Sequence, residues 1–587
     1  MPQSGLVQQG EGVLRFNTVN PFGSGTNDLD IEGGTVRLGI NEALGKPRVR
    51  LYDTTLDLNG FAQTLPSLSG TGTVHLGSGG ALTFTGGSTV EAVISGTGSV
   101  NFGKAGFSGS AHRVLGENTF IGPVAITQGN RVTMTSTAAF GAAGNSVLLD
   151  NGGIEADSQA PGPVVISTAL PLTIGPGGAS FGANGQSLVI EALLAGNLPI
   201  GVRGGGDGYE ARFAHPANTF TSNLDLGTNH FGAAVLGIVA DGSLGNAANV
   251  VTLGYRFFDG ESTRTDTGTL RAFTDIAFPA SRTLRMDGNG DGDGGGIFDT
   301  NGFNMTLAGP LTELHAGTPL RKTGAGTLTL NGTNTHTGTT AVDAGTLVVN
   351  GSLGGATQVA SGGTLSGTGT TGHVSVFSGG TLAPGSSPGT LHPGNVTFDG
   401  GSTLALQFAS PTSASQLAAT GTVALNGEVE LSLALGFVPA TASTFVVIAN
   451  DGSDPIETFG GATSFSIAGN SLSEGETFST GGADWTISYV GGTGNDVTLT
   501  VAPASAPPAE LALGSFSLGT PPGGAAGKQV QGSLSGPPGA VVRMQRSSDL
   551  IDWTLLTTLN LNGSGTATFD VTDPLATDRA FYRMVTP

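Results

Sequence analysis

Between residues 322 and 352 the chain reads KTGAGTLTLNGTNTHTGTTAVDAGTLVVNGS. Two short runs, TLTLN and TLVVN, alternate apolar and polar positions, and Gly, Asn and Thr fill the interval, where Asp343 is the single charge. A period of two places Leu328, Leu330, Leu347 and Val349 on one face of extended backbone and Thr and Asn on the other. One such unit cannot cover its own apolar face, so it must stack on others like itself. Helical periodicity is nearly missing. Residues 187–195, SLVIEALLA, form the best candidate for a helical turn, but their length fits a strand equally well.

Internal similarity extends this pattern along the chain. Asn118-Thr119-Phe120, Asn218-Thr219-Phe220 and Asn334-Thr335-His336 each precede a Gly- or Thr-bearing turn. Downstream of each stands an aromatic or Leu followed by Gly: Phe140-Gly141, Leu244-Gly245 and Leu353-Gly354. DLNGFAQTL from Asp57 matches DTNGFNMTL from Asp299 around Asn-Gly-Phe, and the phrase SGTG recurs at Ser69, Ser95 and Ser366. Degenerate repeats of this kind suit a solenoid whose rungs differ in loop length.

The segments KTGAGTLTLNGTNTHTG, GGTLAPGSSPGTL (379–391) and YVGGTGNDVTLTV (489–501) resemble the autotransporter-associated β-strand repeat of secreted bacterial passenger domains. The resemblance implies an all-β chain in which residues 1–501 form a right-handed parallel β-helix. Coils of roughly 20–25 residues, stacked about 4.8 Å apart, would then build a rod on the order of 100 Å long. It also implies an extracellular or bacterial cell-surface location. The opening residues, MPQSGLVQQGEGVLRF, do not read as a signal peptide, so an export signal would lie outside this numbering.

A change of composition follows. Residues 502–508, APASAPP, read as a Pro/Ala linker in extended geometry. Residues 509–587 carry six short strand-like runs at sandwich spacing. SSDLIDW (547–553) and FYR (581–583) resemble the terminal SSDLxxW…FYR module of large secreted proteins. A small immunoglobulin-like β-sandwich is expected, with Trp553 and Phe581 as its core anchors. The end of the chain does not read as a membrane barrel with aromatic girdles.

Composition narrows the function classes. Gly supplies 101 of 587 residues and charged residues only 11%, far below the usual quarter. With no Gly-X-Y period, glycine at this density serves turns that need positive φ. The net charge is −21, with lysine only at 46, 104, 322 and 528. Such a surface repels nucleic acid and anionic lipid. No apolar run reaches the roughly 18 residues of a spanning helix, so no membrane insertion is expected. Cysteine is missing, which leaves no disulfide framework and no thiolate metal site.

The strongest local cluster is Asp287, Asn289, Asp291 and Asp293, alternating with glycine. Alternating oxygen ligands with Gly292 in sixth place mimic the start of a calcium loop, but Phe298 stands where the bidentate Glu belongs. The cluster reads either as a weak Ca²⁺ site or as a solvated turn. Other motifs carry less. Gly385-Ser386-Ser387-Pro388-Gly389 fits a nucleophile elbow, yet Pro393 and Gly394 block the helix that motif requires. Gly491 to Asp496 resembles a single calcium nonapeptide without the stacked neighbours it needs, and a closing turn is the better reading. The G-x-G-x-x-G at 290–295 precedes no helix to receive a pyrophosphate. The eight histidines form no H-E-x-x-H pair.

These readings predict a secreted, non-enzymatic structural protein: a stiff rod acting as surface fibre, filament subunit or matrix component. Partners are expected to be further copies joined end to end, and carbohydrate-rich surroundings. Two alternatives stay open. A polysaccharide-active enzyme on the same scaffold requires charged residues gathered on one solenoid face, the nearest in sequence being Arg203, Asp207, Glu210 and Arg212. An adhesin requires an aromatic platform, for which Tyr255, Phe257 and Phe258 are the candidates.

Overall fold

A computed structural model of the chain describes residues 6–20, 28–106, 109–197, 199–204, 208–227, 233–258, 263–289, 294–385, 388–439, 441–452, 454–458, 464–503, 510–575 and 579–586. Among these residues regular structure consists of β-strands and three short 3₁₀ turns. No described helix is long and apolar enough to cross a membrane. The chain divides into two units, Met1–Gly481 with Trp485–Val501, and Gly482–Asp484 with Ala502–Pro587.

The first unit is a parallel β-solenoid. From Leu320 to Asn426 successive coils each give one strand to each of three sheets, as in Leu320–Thr323, Thr327–Leu330 and Thr333–Asn334. The next coil repeats the set with Thr340–Val342, Gly345–Val349 and Ser352–Leu353. Pairing is in register: Leu328 lies beside Leu347, Leu347 beside Leu365, and Leu365 beside Leu382. All four are fully buried, as are Leu330 and Val349. Each inward leucine is therefore roofed and floored by its equivalents in the neighbouring coils. Thr340 faces Thr357 and Thr357 faces Val374, so coils here are shorter than the length expected from sequence.

The repeated phrases have local causes. In all three tripeptides the asparagine is buried and bridges the coils on either side. Asn118 Oδ1 accepts from Ile94 N–H at 2.7 Å while its Nδ2 donates to Ala139 O at 2.9 Å. Asn218 does the same between Leu194 and Ser243, and Asn334 between Leu311 and Ser352. A side-chain amide offers a donor and an acceptor together, which suits a corner where the ladder is interrupted. The third residue, Phe120, Phe220 or His336, fills the core beneath. In the other matched pair, Asn59-Gly60 and Asn301-Gly302 all adopt positive φ. Asp57 and Asp299 each accept the N–H of the asparagine two residues on, and each pairs with an arginine of the preceding coil, Arg37 or Arg271. The phrase is thus a tight turn with its own anchor.

One open alternative is decided by the fold, and one sequence expectation is corrected. Residues 187–195 contain a strand, Leu188–Ile190, paired in parallel with Val164–Ile166 and Ala211–Phe213, and no helical turn. Burial of all three strand residues leaves no polar face for the amphipathic turn. The parallel winding also does not run to residue 500. Ser443–Ala449 pairs antiparallel with Asp496–Pro503, and the same sheet continues through Ala483–Gly491 and Thr477–Thr480. Trp485 is buried at this end with Phe408, ring centroids 4.8 Å apart, and Phe445 packs on Phe408 at 5.0 Å. The hairpin turn near residues 491–496 is held by Asp496, which accepts from Thr493 N–H and Asn450 N–H.

The second unit holds two three-stranded antiparallel sheets: Ala512–Gly519, Lys528–Ser535 and Thr566–Asp573, and Thr554–Asn560, Val541–Ser547 and Phe581–Val585. Its core is Val530, Met544 and Phe569 with Leu534, Val542 and Leu561. The buried Asp573 ties the sheets together, pairing with Arg546 at 3.1 Å and accepting from Tyr582 Oη at 3.1 Å. Burial and that carboxylate push the Tyr582 phenol up to about 12. Trp553 and Phe581 are only partly buried and are not the core anchors expected from sequence. The Arg583 guanidinium lies 4.3 Å over the Trp553 ring, a stacking that favours an accessible face.

Candidate functional site

The calcium-like loop leaves Thr283–Met286 and enters Gly295–Asp299, closed by an antiparallel bridge between Gly288 and Gly294. Asp287, nearly buried, is already engaged at both oxygens. Oδ1 lies 2.8 Å from His315 Nδ1, and Oδ2 accepts from Arg256 N–H at 3.1 Å. The carboxylate thus pins the base of the antiparallel arm formed by Tyr255–Phe258 and Thr263–Ala272. Asn289 has a partner of its own. Asp291 and Asp293, like Gly290 and Gly292, lie outside the described residues. Among the described residues no group of three or more His, Asp or Glu is placed to hold a metal ion. Of the other motifs, Ser386, Ser387 and Asp207 and the side chains of Phe257 and Phe258 also fall outside the described residues.

The charged residues singled out in sequence separate onto different faces. Arg203 ends Ile200–Arg203 in a ten-stranded sheet, whereas Arg212 lies in Ala211–Phe213 of a fourteen-stranded one. There Glu210 joins Arg212 at 2.8 Å and Arg271 at 3.0 Å, and Arg271 reaches on to Asp299 at 2.7 Å. The Arg212 guanidinium also rests 3.5 Å over the Phe273 ring. Every charge in that chain of contacts has a partner, which makes it a surface clamp across coils.

Stacking gathers a different set around Arg203. On the outer face of the ten-stranded sheet, Arg131, Gly153, Ser180, Gly201 and Asp225 stand in one column of successive strands. Thr133, Glu155, Gly182 and Arg203 form the column beside it. Arg131 Nε lies 3.2 Å from Glu155 Oε1, and Thr133 Oγ1 donates to Glu155 Oε2 at 3.3 Å. Burial and the neighbouring Arg131 hold Arg203 below the usual arginine range, with Glu155 opposing. The glycines are crowded positions: a Cβ at Gly153 would sit 2.4 Å from Ser180 Oγ, and one at Gly182 3.1 Å from Glu155 Cγ. Beside these columns lies a cleft of about 280 Å³ whose lining includes Arg131, Gly152, Ser180, Gly201, Arg203, Asp225 and Tyr255. Sequence reading reached Arg203 and Tyr255 alone. The available signal was glycine at outward strand positions, but it gains meaning only once the register is known.

Two further charges are internal. Lys322 is fully buried, and its Nζ donates to Thr300 Oγ1, Thr323 O, Gly324 O and Ala344 O at 2.8–3.1 Å. Burial pulls its pKa down to about 8, with Asp299 opposing. Arg282, equally buried, pairs with Asp241 at 2.7 Å and donates to Asn246 O and Gly245 O, pinning the 3₁₀ turn Asp241–Leu244. Both satisfy backbone carbonyls at coil corners.

The passenger-associated-transport-repeat family model matches residues 320–349, the coils in which Lys322, Asn334 and Leu347 lie. The chain thus carries an autotransporter-type β-repeat within an all-β parallel solenoid. Among solved structures the chain is similar to the Haemophilus influenzae Hap adhesin, at 12% identity and a TM-score of 0.24. That alignment covers 85% of this chain and 64% of the adhesin's, so the chain spans less than two thirds of that protein's length. No curated protein matches.

Proposed function

We propose that the chain is an extracellular, non-enzymatic scaffold on a bacterial surface, structural or adhesive in role. The observation that carries this reading is the repeat itself: matched coils stack their leucines in unbroken columns and turn small residues, Thr, Ser, Val and Ala, outward. Such a stack pairs its interior backbone groups from coil to coil and offers a long, regular face for contact. Copies joining end to end would extend the same face. Calcium has no part in this proposal, because the Asp287 carboxylate is committed to His315 and Arg256.

Electron microscopy of the purified chain, with sedimentation over a concentration series, tests the proposal. Elongated particles support the scaffold, and compact globules overturn it. Fibres support end-to-end joining; a strict monomer at every concentration removes that part alone. Release of reducing ends from polysaccharides would overturn the non-enzymatic reading.

A further inference from the structure

We propose that the cleft on the outer face of the ten-stranded sheet binds a neutral polysaccharide, with Arg131, Ser180, Arg203, Asp225 and Tyr255 as the contacting side chains. The proposal rests on the adhesive branch of the reading above and assigns its ligand and its site.

Four observations carry it. Glycine makes up part of the floor: Gly152, Gly178 and Gly201 line it, which leaves stretches of backbone within a ligand's reach. Its walls bear planar, bidentate groups, two guanidinium and one carboxylate, together with the Ser180 hydroxyl. Vicinal hydroxyls of a sugar donate and accept together, which is the pattern these groups match. Tyr255, at the base of the antiparallel arm, adds an aromatic wall against which a sugar ring can pack.

The fourth observation is charge. Arg131 is paired with Glu155 of the adjacent column, which leaves Arg203 and Asp225 as one charge of each sign in the lining, on a chain of net charge −21. A uronate polymer would meet no local surplus of positive charge and a repulsive field around it. An uncharged chain meets neither obstacle. Size and spacing agree. The volume of about 280 Å³ lies at the lower edge of small-molecule sites, enough for a short stretch of a longer polymer. Rungs repeat about every 4.8 Å, close to the length one pyranose adds to an extended chain.

Affinity electrophoresis of the full chain decides the matter, in native gels containing galactomannan, xyloglucan or dextran and, separately, polygalacturonate or alginate. At least one neutral polymer should retard migration. Arg203→Ala and Asp225→Ala should each weaken that retardation about tenfold or more, since each removes a bidentate partner. Gly201→Leu, which fills the floor, should weaken it as far. Gln358→Ala, on an outward position of another sheet, should leave it unchanged. Asp225→Asn replaces the alanine variant if that variant melts early. Retardation by a neutral polymer that survives all the cleft variants overturns the site while leaving an adhesive scaffold in place. Retardation by the acidic polymers alone overturns the ligand class. No retardation by any polymer overturns the proposal, and microscopy then still judges the scaffold on its own terms.

Discussion

The solenoid and the C-terminal sandwich are both all-β, yet they hide apolar side chains by different means. In the solenoid, Leu347 is buried because Leu328 and Leu365 lie in register on either side of it. Every added coil brings its own core and covers the last. In the sandwich, six buried apolar side chains among the described residues, in two small clusters, must serve the whole unit, and the strand Ala512–Gly519 is exposed along its length. A small domain buries a smaller fraction of its surface and has little margin. A solenoid sums nearest-neighbour terms, so damage can stay local. Regularity, more than core size, is what the repeat contributes.

The sharpest way to break that contrast is Leu347→Asp. It places an unpaired charge between two leucines and should cost at least about 4 kcal/mol. Hydrogen exchange should show protection lost in the coils of Leu328, Leu347 and Leu365 and kept in distant coils and in the sandwich. Loss throughout the solenoid would show one cooperative core in place of summed rungs. Arg282→Ala should cost about 3–5 kcal/mol by leaving Asp241 and several buried carbonyls without their donor. Its exchange signature should centre on Asp241–Leu244. A change below about 1 kcal/mol in thermal melting would mean that the guanidinium is not a pin.

Equal losses in the two units should have unequal consequences. Met544→Ala in the sandwich and Leu365→Ala in the solenoid each remove a fully buried side chain, at about 2–5 kcal/mol. For a unit as small as the sandwich, each kcal/mol moves its midpoint by about 4–8 °C. Calorimetry should therefore show the Met544 variant's sandwich transition displaced far more than the solenoid transition of the Leu365 variant. Equal displacements would remove the distinction.

Much of the solenoid was legible because its determinants are local. The two-residue period fixed which leucines face inward, and the Asn-Gly and Asn-Thr-Phe phrases marked turns whose bonds the structure shows. The sandwich strands were legible for the same reason. Long-range facts were not. Arg131, Glu155 and Asp225 belong to different coils, and only the register brings them to one face. The antiparallel end was missed because parallel and antiparallel strands share the same alternation. Trp553 was misplaced because the expected immunoglobulin-like sandwich assigns its tryptophan to the core, while here Arg583 stacks over a ring left partly open.

Acid should separate the two units as well, by a smaller amount. His336 is fully buried, with Nε2 2.9 Å from Thr340 Oγ1, and burial pulls its pKa down to about 4 against the weaker pull of Glu313. In the unfolded chain a histidine titrates near 6.5. As pH falls below that value the unfolded state takes up the proton first, so folding stability from this residue is lost progressively between about 6.5 and 4. At pH 5 the loss is about 2 kcal/mol, and above pH 7 it vanishes. His112, lowered by burial in the same way, adds a loss of the same sign. The sandwich residues 509–587 contain no histidine, so this window belongs to the solenoid. Sister repeats show how to close it: Phe120 and Phe220 occupy the position of His336, equally buried. His336→Phe removes the titration and also strips Thr340 of its partner, a cost of about 1 kcal/mol at every pH. The diagnostic quantity is therefore a difference of differences. Going from pH 7.5 to 5, the variant's solenoid should lose about 2 kcal/mol less than the parent's. Identical losses in the two proteins would show that His336 is protonated in the fold or reached by water, and that its place among the phenylalanines is only apparent.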